Sequence, residues 1–159
     1  MGITNNKFSP KTAVLLGLLT VAGINSTYAG TSTDPLSITL TANQLVMQNG
    51  QSVLKPVTKA NSGDVIQYTA AYRNNIEKPM TDVVITLPVP VNMVYTSNST
   101  PAPVQASLDG AKFEALPIKR LVNGKMVEVS PSQYRALRWV VKYLPAQKEA
   151  TVSMNAKVR

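Results

Sequence analysis

The sequence contains no cysteine and no histidine among its 159 residues. The lack of cysteine excludes disulfides, so a domain outside the cytosol must be stabilised by packing. The lack of both residue types also excludes the common nucleophile–base pairs and most transition-metal sites. Eight Asp and Glu stand against 16 Lys and Arg, and they show no cluster of the spacing that calcium requires. The composition therefore favours a binding or structural protein over an enzyme, and it predicts no cofactor and no metal.

The N-terminus has the pattern of a secretory signal peptide. Lys7 and Lys11 precede the apolar run AVLLGLLTVAGI, which ends in the small and polar residues NSTYAG. This run is shorter than the roughly 20 residues that span a bilayer, so a permanent transmembrane anchor is not expected. We therefore predict that residues 1–29 are a signal peptide cleaved after Ala29, and that the protein is exported to the periplasm or the cell surface.

The remaining chain is moderately basic. Removal of Lys7 and Lys11 leaves 14 basic and 8 acidic residues, a net charge of +6. Export and the scattered placement of the basic residues argue against nucleic acid as a partner. The charge favours an envelope protein, an anionic envelope polymer or lipid head groups, although solubility alone also explains it.

Beyond residue 29 apolar and polar residues alternate with a period of two, which is typical of strands with one buried face. The segments are LSITLTA, VIQYTAAYRN, TDVVITLP, ALRWVVKYL and EATVSMNAKV. Turns are indicated by NSGD at residues 61–64 and by Asn123 with Gly124. Pro88 should end its strand because it cannot donate to a ladder. With no helical apolar stripe, the pattern predicts an all-β, antiparallel two-sheet sandwich.

The alternation also predicts which side chains face the core. These are Leu36, Ile38, Leu40, Ala42, Ile66, Tyr68, Ala70, Tyr72, Val83, Ile85, Leu87, Leu137, Trp139, Val141 and Tyr143. Trp139, the only tryptophan, lies at a strand centre among apolar neighbours, which favours core packing over stacking on a sugar.

The segment ANSGDVIQYTAAYRNNIEKPMTDVVITLP resembles the DUF11 family, a conserved-repeat domain of bacterial envelope and surface proteins. The family pattern is a Gly-Asp turn, a strand with a central Tyr-Thr, an Asn-containing turn, and a strand that ends in Leu-Pro. RWVVKYLPAQKEATVSMNAKV is similar to its Trp strand, turn and closing strand. The matching positions are Gly63, Asp64, Tyr68, Thr69, Asn74, Leu87, Pro88 and Trp139.

The resemblance implies an immunoglobulin-like sandwich over residues 42–159, preceded by an arm and first strand at residues 30–41. It implies an envelope location but no activity, because this fold is a scaffold. Two departures are visible. Ile85 stands where the family usually has Asp, and the Leu-Pro is followed by Val89, Pro90 and Val91 in place of an early Gly. The stretch at residues 96–133 is also longer than a minimal repeat.

Two covalent or catalytic alternatives rest on single pairs of residues. A glycan-active enzyme would need two opposed carboxylates, and Asp109 with Glu114 are the candidates. An internal isopeptide bond would join Lys142 or Lys157 to Asn74, although both lysines fall on the outward register of their strands. We expect neither.

Binding is the function that the sequence favours. SNSTPAP at residues 97–103 should be an exposed loop, and the neighbouring hairpin offers Lys119, Arg120 and Lys125 as a basic recognition edge. Such residues also protect exposed edges from aggregation. A second hypothesis is a pilin-like or accessory subunit that assembles by strand exchange at an open edge near the terminal strand.

Overall fold

A computed structural model describes residues 34–159, and the predicted signal peptide and most of the arm lie outside them. Within this range the protein contains eleven strands, one 3-10 turn and no α-helix. No helix of the described residues has the length and apolarity needed to cross a bilayer. The all-β prediction is therefore confirmed for residues 34–159.

The strands are β1 Leu36–Gln48, β2 Gln51–Pro56, β3 Val65–Asn74, β4 Met80–Pro88, β5 Met93–Thr100, β6 Gln105–Ser107, β7 Glu114–Ala115, β8 Lys119–Val122, β9 Lys125–Glu128, β10 Ala136–Leu144 and β11 Glu149–Val158. The 3-10 turn, Pro131–Gln133, precedes β10. As predicted, Pro88 is the last residue of its strand.

All pairings are antiparallel, and they form two large sheets and one separate hairpin. The first sheet has the order β2-β1-β3-β11-β5, and the second has the order β4-β10-β6-β7. The hairpin, β8 with β9, pairs with neither sheet. The stretch at residues 96–133 therefore does more than extend a loop, because it supplies two strands of the second sheet as well as the hairpin.

The core lies between the two sheets, in a β-sandwich-like arrangement. Ile66, Tyr68, Ala70 and Tyr72 of β3 are all buried, which confirms the predicted inward face. From the second sheet, Ile85, Leu87, Leu137 and Trp139 join the same cluster. Trp139 is 2% exposed and pairs with Ile85, so the prediction that it fills the core is confirmed. Burial of such a ring contributes several kcal/mol, on the order of 25 cal/mol per Å² of apolar area.

Two predictions of inward-facing residues are wrong in part. Ile38 and Leu40 of β1 lie opposite Tyr72 and Ala70, on the correct face, but they remain 37% and 36% exposed. The second sheet has only four strands and does not extend over all of β1. Tyr143, near the end of β10, is 60% exposed, whereas the next residue, Leu144, is 2% exposed, so the predicted alternation breaks at the end of this strand.

The predicted turn at residues 61–64 closes one end of the first sheet. Gly63 has a φ of 95°, which a residue with a Cβ rarely adopts. Its N–H donates to the Val158 carbonyl at 2.9 Å, and the Val158 N–H donates to the Asp64 carbonyl at 2.9 Å. The Asp64 carboxylate accepts from the Asn61 N–H at 2.8 Å. The Gly-Asp turn therefore holds the last strand in place.

Candidate functional site

A cleft of about 510 Å³ lies where the predicted loop and the base of the hairpin meet. One wall includes Ser97 and Ser99, which belong to β5 and not to a loop as predicted, and Ala102 and Pro103 of the shorter loop that follows. The other wall runs from Glu128 to Pro131, directly after β9. The cleft therefore lies between two segments that the sequence analysis singled out, but none of the predicted binding residues Lys119, Arg120 and Lys125 lines it.

Two tyrosine rings form the floor of this cleft. Tyr95 of β5 and Tyr134, which follows the 3-10 turn, are stacked with ring centroids 6.3 Å apart and planes inclined by 20°. The Tyr95 hydroxyl is 2.9 Å from the Ser99 hydroxyl, and burial raises the pKa of Tyr95. Both rings are almost fully buried, so they support the walls of the cleft and present little surface of their own.

The cleft is nearly uncharged. Among the described residues that line it, Glu128 is the only charged one, beside three prolines and several hydroxyl groups. Such a lining offers apolar contacts and neutral hydrogen bonds, and it offers no cation to an anionic polymer. A protein segment with apolar side chains fits this chemistry better.

Sequence reasoning missed both floor residues. Tyr95 alternates with Met93 in a strand that the sequence analysis did not assign, and both side chains are buried; a period-two search there finds them. Tyr134 lies outside any alternating segment, so no local pattern reveals it.

The predicted basic edge exists as a hairpin but is largely neutralised. Asn123 and Gly124 have φ angles of 49° and 77°, as the predicted tight reversal requires. The Arg120 guanidinium holds the Glu114 carboxylate with both of its terminal nitrogens. Lys119 Nζ lies 3.9 Å from Glu128 Oε1. Of these three predicted cations, Lys125 alone has no salt-bridge partner among the described residues. The three cations therefore do not act as one strong patch.

The candidate carboxylate pair is poorly suited to glycoside hydrolysis. Asp109 accepts hydrogen bonds from the N–H groups of Ala111 and Lys112 and from the Ser107 hydroxyl, and they lower its pKa to about 2. The hydrogen bonds from Arg120 lower the pKa of Glu114. A glycosidase needs one carboxyl with a raised pKa as its general acid, and neither member of this pair provides it.

The side-chain amide of Asn74 is hydrogen-bonded to the backbone and has a structural role. Its side chain is fully buried, and Nδ2 donates to the carbonyls of Lys78, Leu144 and Pro145 at 2.8, 3.3 and 3.0 Å. This position joins the β3–β4 and β10–β11 connections, which explains the Asn in the turn pattern.

Neither lysine suits an isopeptide bond to Asn74. Lys157 pairs with Val65, at the opposite end of β3 from Asn74, so roughly 30 Å of strand separates them. Lys142 Nζ instead lies 2.9 Å from Asp82 Oδ1 on the outer surface. The predicted outward register of both lysines agrees with their exposure.

The sheet edges differ in how open they are. β11 pairs with β3 from Glu149 to Lys157 and with β5 from Ser153 to Val158, so the second half of the terminal strand is covered on both sides. Along β4, Asp82 has a φ of 51°, an interruption that discourages strand addition. Residues 36–42 of β1 pair only with β3, so this half of β1 is open on one side, as are the outer strands β2 and β5.

Among residues 34–159 no group of three or more acidic, His or Cys side chains is placed to hold a metal ion. Comparisons of the chain with protein-family models, with curated proteins and with solved structures give no match. The resemblance to the DUF11 family therefore stays a prediction from sequence motifs.

Proposed function

We propose that the chain is an exported, non-catalytic binding module of the bacterial envelope, built as an immunoglobulin-like sandwich of the DUF11 type. The observation that carries the proposal is the cleft with the Tyr95–Tyr134 floor. It is formed by an exposed loop and a hairpin base, and loops on a rigid scaffold are where binding residues concentrate.

The partner proposed for this cleft is an envelope protein that inserts an apolar segment. The cleft's prolines offer apolar contact area, and the buried tyrosines beneath them hold the walls in place, so little conformational entropy is lost on binding. Glu128, the only charge in the lining, would repel an anionic polymer there.

Site-specific photo-crosslinking in cells tests this proposal. A crosslinker at Ala102 samples the cleft, and one at Ser52 on β2 is the matched control, at the opposite edge of the first sheet from β5. We expect a discrete envelope protein to be captured from Ala102 alone, from protein whose N-terminus begins at Gly30. The absence of an adduct at Ala102, or recovery of the protein with residues 1–29 intact in the cytoplasm, would contradict the proposal. Hydrolytic turnover lost on substitution of one carboxylate would also overturn it.

Assembly by strand exchange is a second candidate, favoured by the open edge of β1. Residues 36–42 lack a partner strand on one side, and Ile38 and Leu40 are half-exposed on the inner face. A strand from another subunit would pair with this edge and cover both side chains. Sedimentation over a wide concentration range tests it: Leu40→Lys should abolish a concentration-dependent assembly, with Thr39→Lys on the outer face as control. A strictly monomeric wild-type protein would exclude self-assembly at this edge.

A further inference from the structure

The β8–β9 hairpin exposes apolar side chains on both of its faces. All eight of its strand residues are exposed. Leu121 lies opposite Met126 on one face, while Val122 and Val127 lie on the other. Leu121 and Met126 are 70% and 63% exposed, and both valines are 49% exposed. We call residues 121–126 the hairpin tip.

The base of the hairpin is anchored to the core. The Val129 N–H donates to the Ile118 carbonyl at 2.8 Å, and Ile118 is 1% exposed. The tip is therefore presented by a fixed support, although a two-stranded hairpin has little stability of its own.

The charged side chains at the base of the hairpin are paired, whereas the tip carries a single positive charge. Glu128, at the end of β9, lies near Lys119, and Glu114 of β7 holds Arg120. Both acids are thus at the base and paired. Lys125 is the only charged residue of the tip, and the described residues together carry a net charge of +6. A negatively charged surface would attract the whole domain, and Lys125 of the tip has no salt-bridge partner among the described residues that would weaken this attraction.

We propose that the hairpin tip inserts into an anionic lipid surface, with Leu121, Val122 and Met126 among the acyl chains and Lys125 at the head groups. The inference rests on the proposed envelope location and not on the cleft. A protein surface or a second copy of the chain would cover one face of the hairpin, whereas lipid covers both at once. Apolar side chains flanked by cations are the combination that binds such surfaces.

Vesicle co-sedimentation of the chain without residues 1–29 tests the inference. The vesicles are phosphatidylcholine alone and phosphatidylcholine with a quarter phosphatidylglycerol. We expect binding to the anionic vesicles, about tenfold weaker for Leu121→Ser with Met126→Ser. Lys125→Gln should weaken binding about fivefold and reduce its salt dependence. The matched control is Met47→Ser with Leu54→Ser in the β1–β2 hairpin, whose side chains are also exposed, and it should bind like the wild type.

A spectroscopic readout keeps the test independent of affinity. Leu121→Trp adds an exposed indole to a protein whose only other tryptophan is buried, so a blue shift with anionic vesicles reports insertion. Wild-type failure to bind anionic vesicles, equal binding by the Leu121→Ser, Met126→Ser variant, or an unshifted emission would each overturn the inference. So would a tip-dependent dimer without vesicles. Crosslinking at Ala102 reads out the proposed function separately, since the tip is not part of the cleft lining.

Discussion

The indole nitrogen of Trp139 donates a hydrogen bond to the Pro101 carbonyl at 2.8 Å. Trp139 lies at the centre of the second sheet's inner face, while Pro101 belongs to the loop that continues into the cleft wall. One side chain therefore fills the core and fixes the loop proposed for binding. A buried indole N–H usually finds such a partner.

Trp139→Phe should destabilise the domain by about 2–3 kcal/mol. The substitution leaves a cavity and deprives the Pro101 carbonyl of its donor. Urea unfolding followed by far-UV circular dichroism measures the change, since the variant has no tryptophan fluorescence. Tyr143→Phe, at an exposed position of the same strand, is the control and should stay within about 0.5 kcal/mol of the wild type. A loss of unfolding free energy below about 0.5 kcal/mol for Trp139→Phe would contradict the prediction.

Strand alternation predicted the core where both neighbours of a strand are present. β3 lies between β1 and β11 and faces the second sheet, so its four predicted inward residues are all buried. The same pattern in β1 gave the correct face but not the burial. How far the opposite sheet extends depends on β4, β6, β7 and β10, which begin 44 to 100 residues after β1 begins and which no local pattern contains.

The candidate site was predictable in location but not in charge. Of the loop predicted at residues 97–103 only the part after Thr100 is a loop, because β5 extends through Thr100, whereas the hairpin and its turn were identified correctly. The salt bridges of the hairpin's cations were not predicted. Glu114 lies on β7, a strand of only two residues, and nothing in its local sequence places it against Arg120. Apolar exposure on both hairpin faces likewise depends on β8 and β9 pairing with no other strand.

Asn74→Asp should cost about 3 kcal/mol or more. Nδ2 donates to three carbonyls, and a carboxylate in its place would direct a negative charge at the same three acceptors without water to screen it. Asn75→Asp is the matched control, because the neighbouring amide donates to the Asp34 carbonyl at an exposed site; a loss of about 1 kcal/mol or less is expected there. Chemical denaturation at pH 7 compares the two variants. Equal losses of unfolding free energy would show that the three hydrogen bonds from Asn74 do not contribute more to stability than the one from Asn75.

Gly63→Ala should cost about 1–2 kcal/mol through backbone strain alone. The φ of Gly63 is 95°, and an added Cβ would meet no atom within 4 Å, so the cost arises from the conformation and not from a clash. The N–H that holds Val158 remains in the variant. Hydrogen exchange should therefore show faster opening of the Val158 amide, which donates to Asp64. Ser62→Ala, in the same turn, should leave that exchange rate unchanged; equal rates in Gly63→Ala would refute the argument.

Asp109 should make the domain less stable in acid. Hydrogen bonds from Lys112, Ala111 and Ser107 lower its pKa from 3.8 to about 2, so the folded state holds the ionised form more tightly than the unfolded chain does. The resulting stability is fully present above about pH 4 and is lost as the pH falls toward 2. Asp109→Asn keeps an accepting oxygen but does not titrate, so the stability difference between wild type and variant should be constant above pH 4 and should change below it. Thermal unfolding at intervals from pH 6 to pH 2 measures this difference, with Glu77→Gln, the same chemical change in another exposed turn, as the control. If the difference between wild type and Asp109→Asn were the same at pH 2.5 and pH 6, the hydrogen bonds to Asp109 would have no preference for its ionised form, and the carboxylate would be an ordinary surface group.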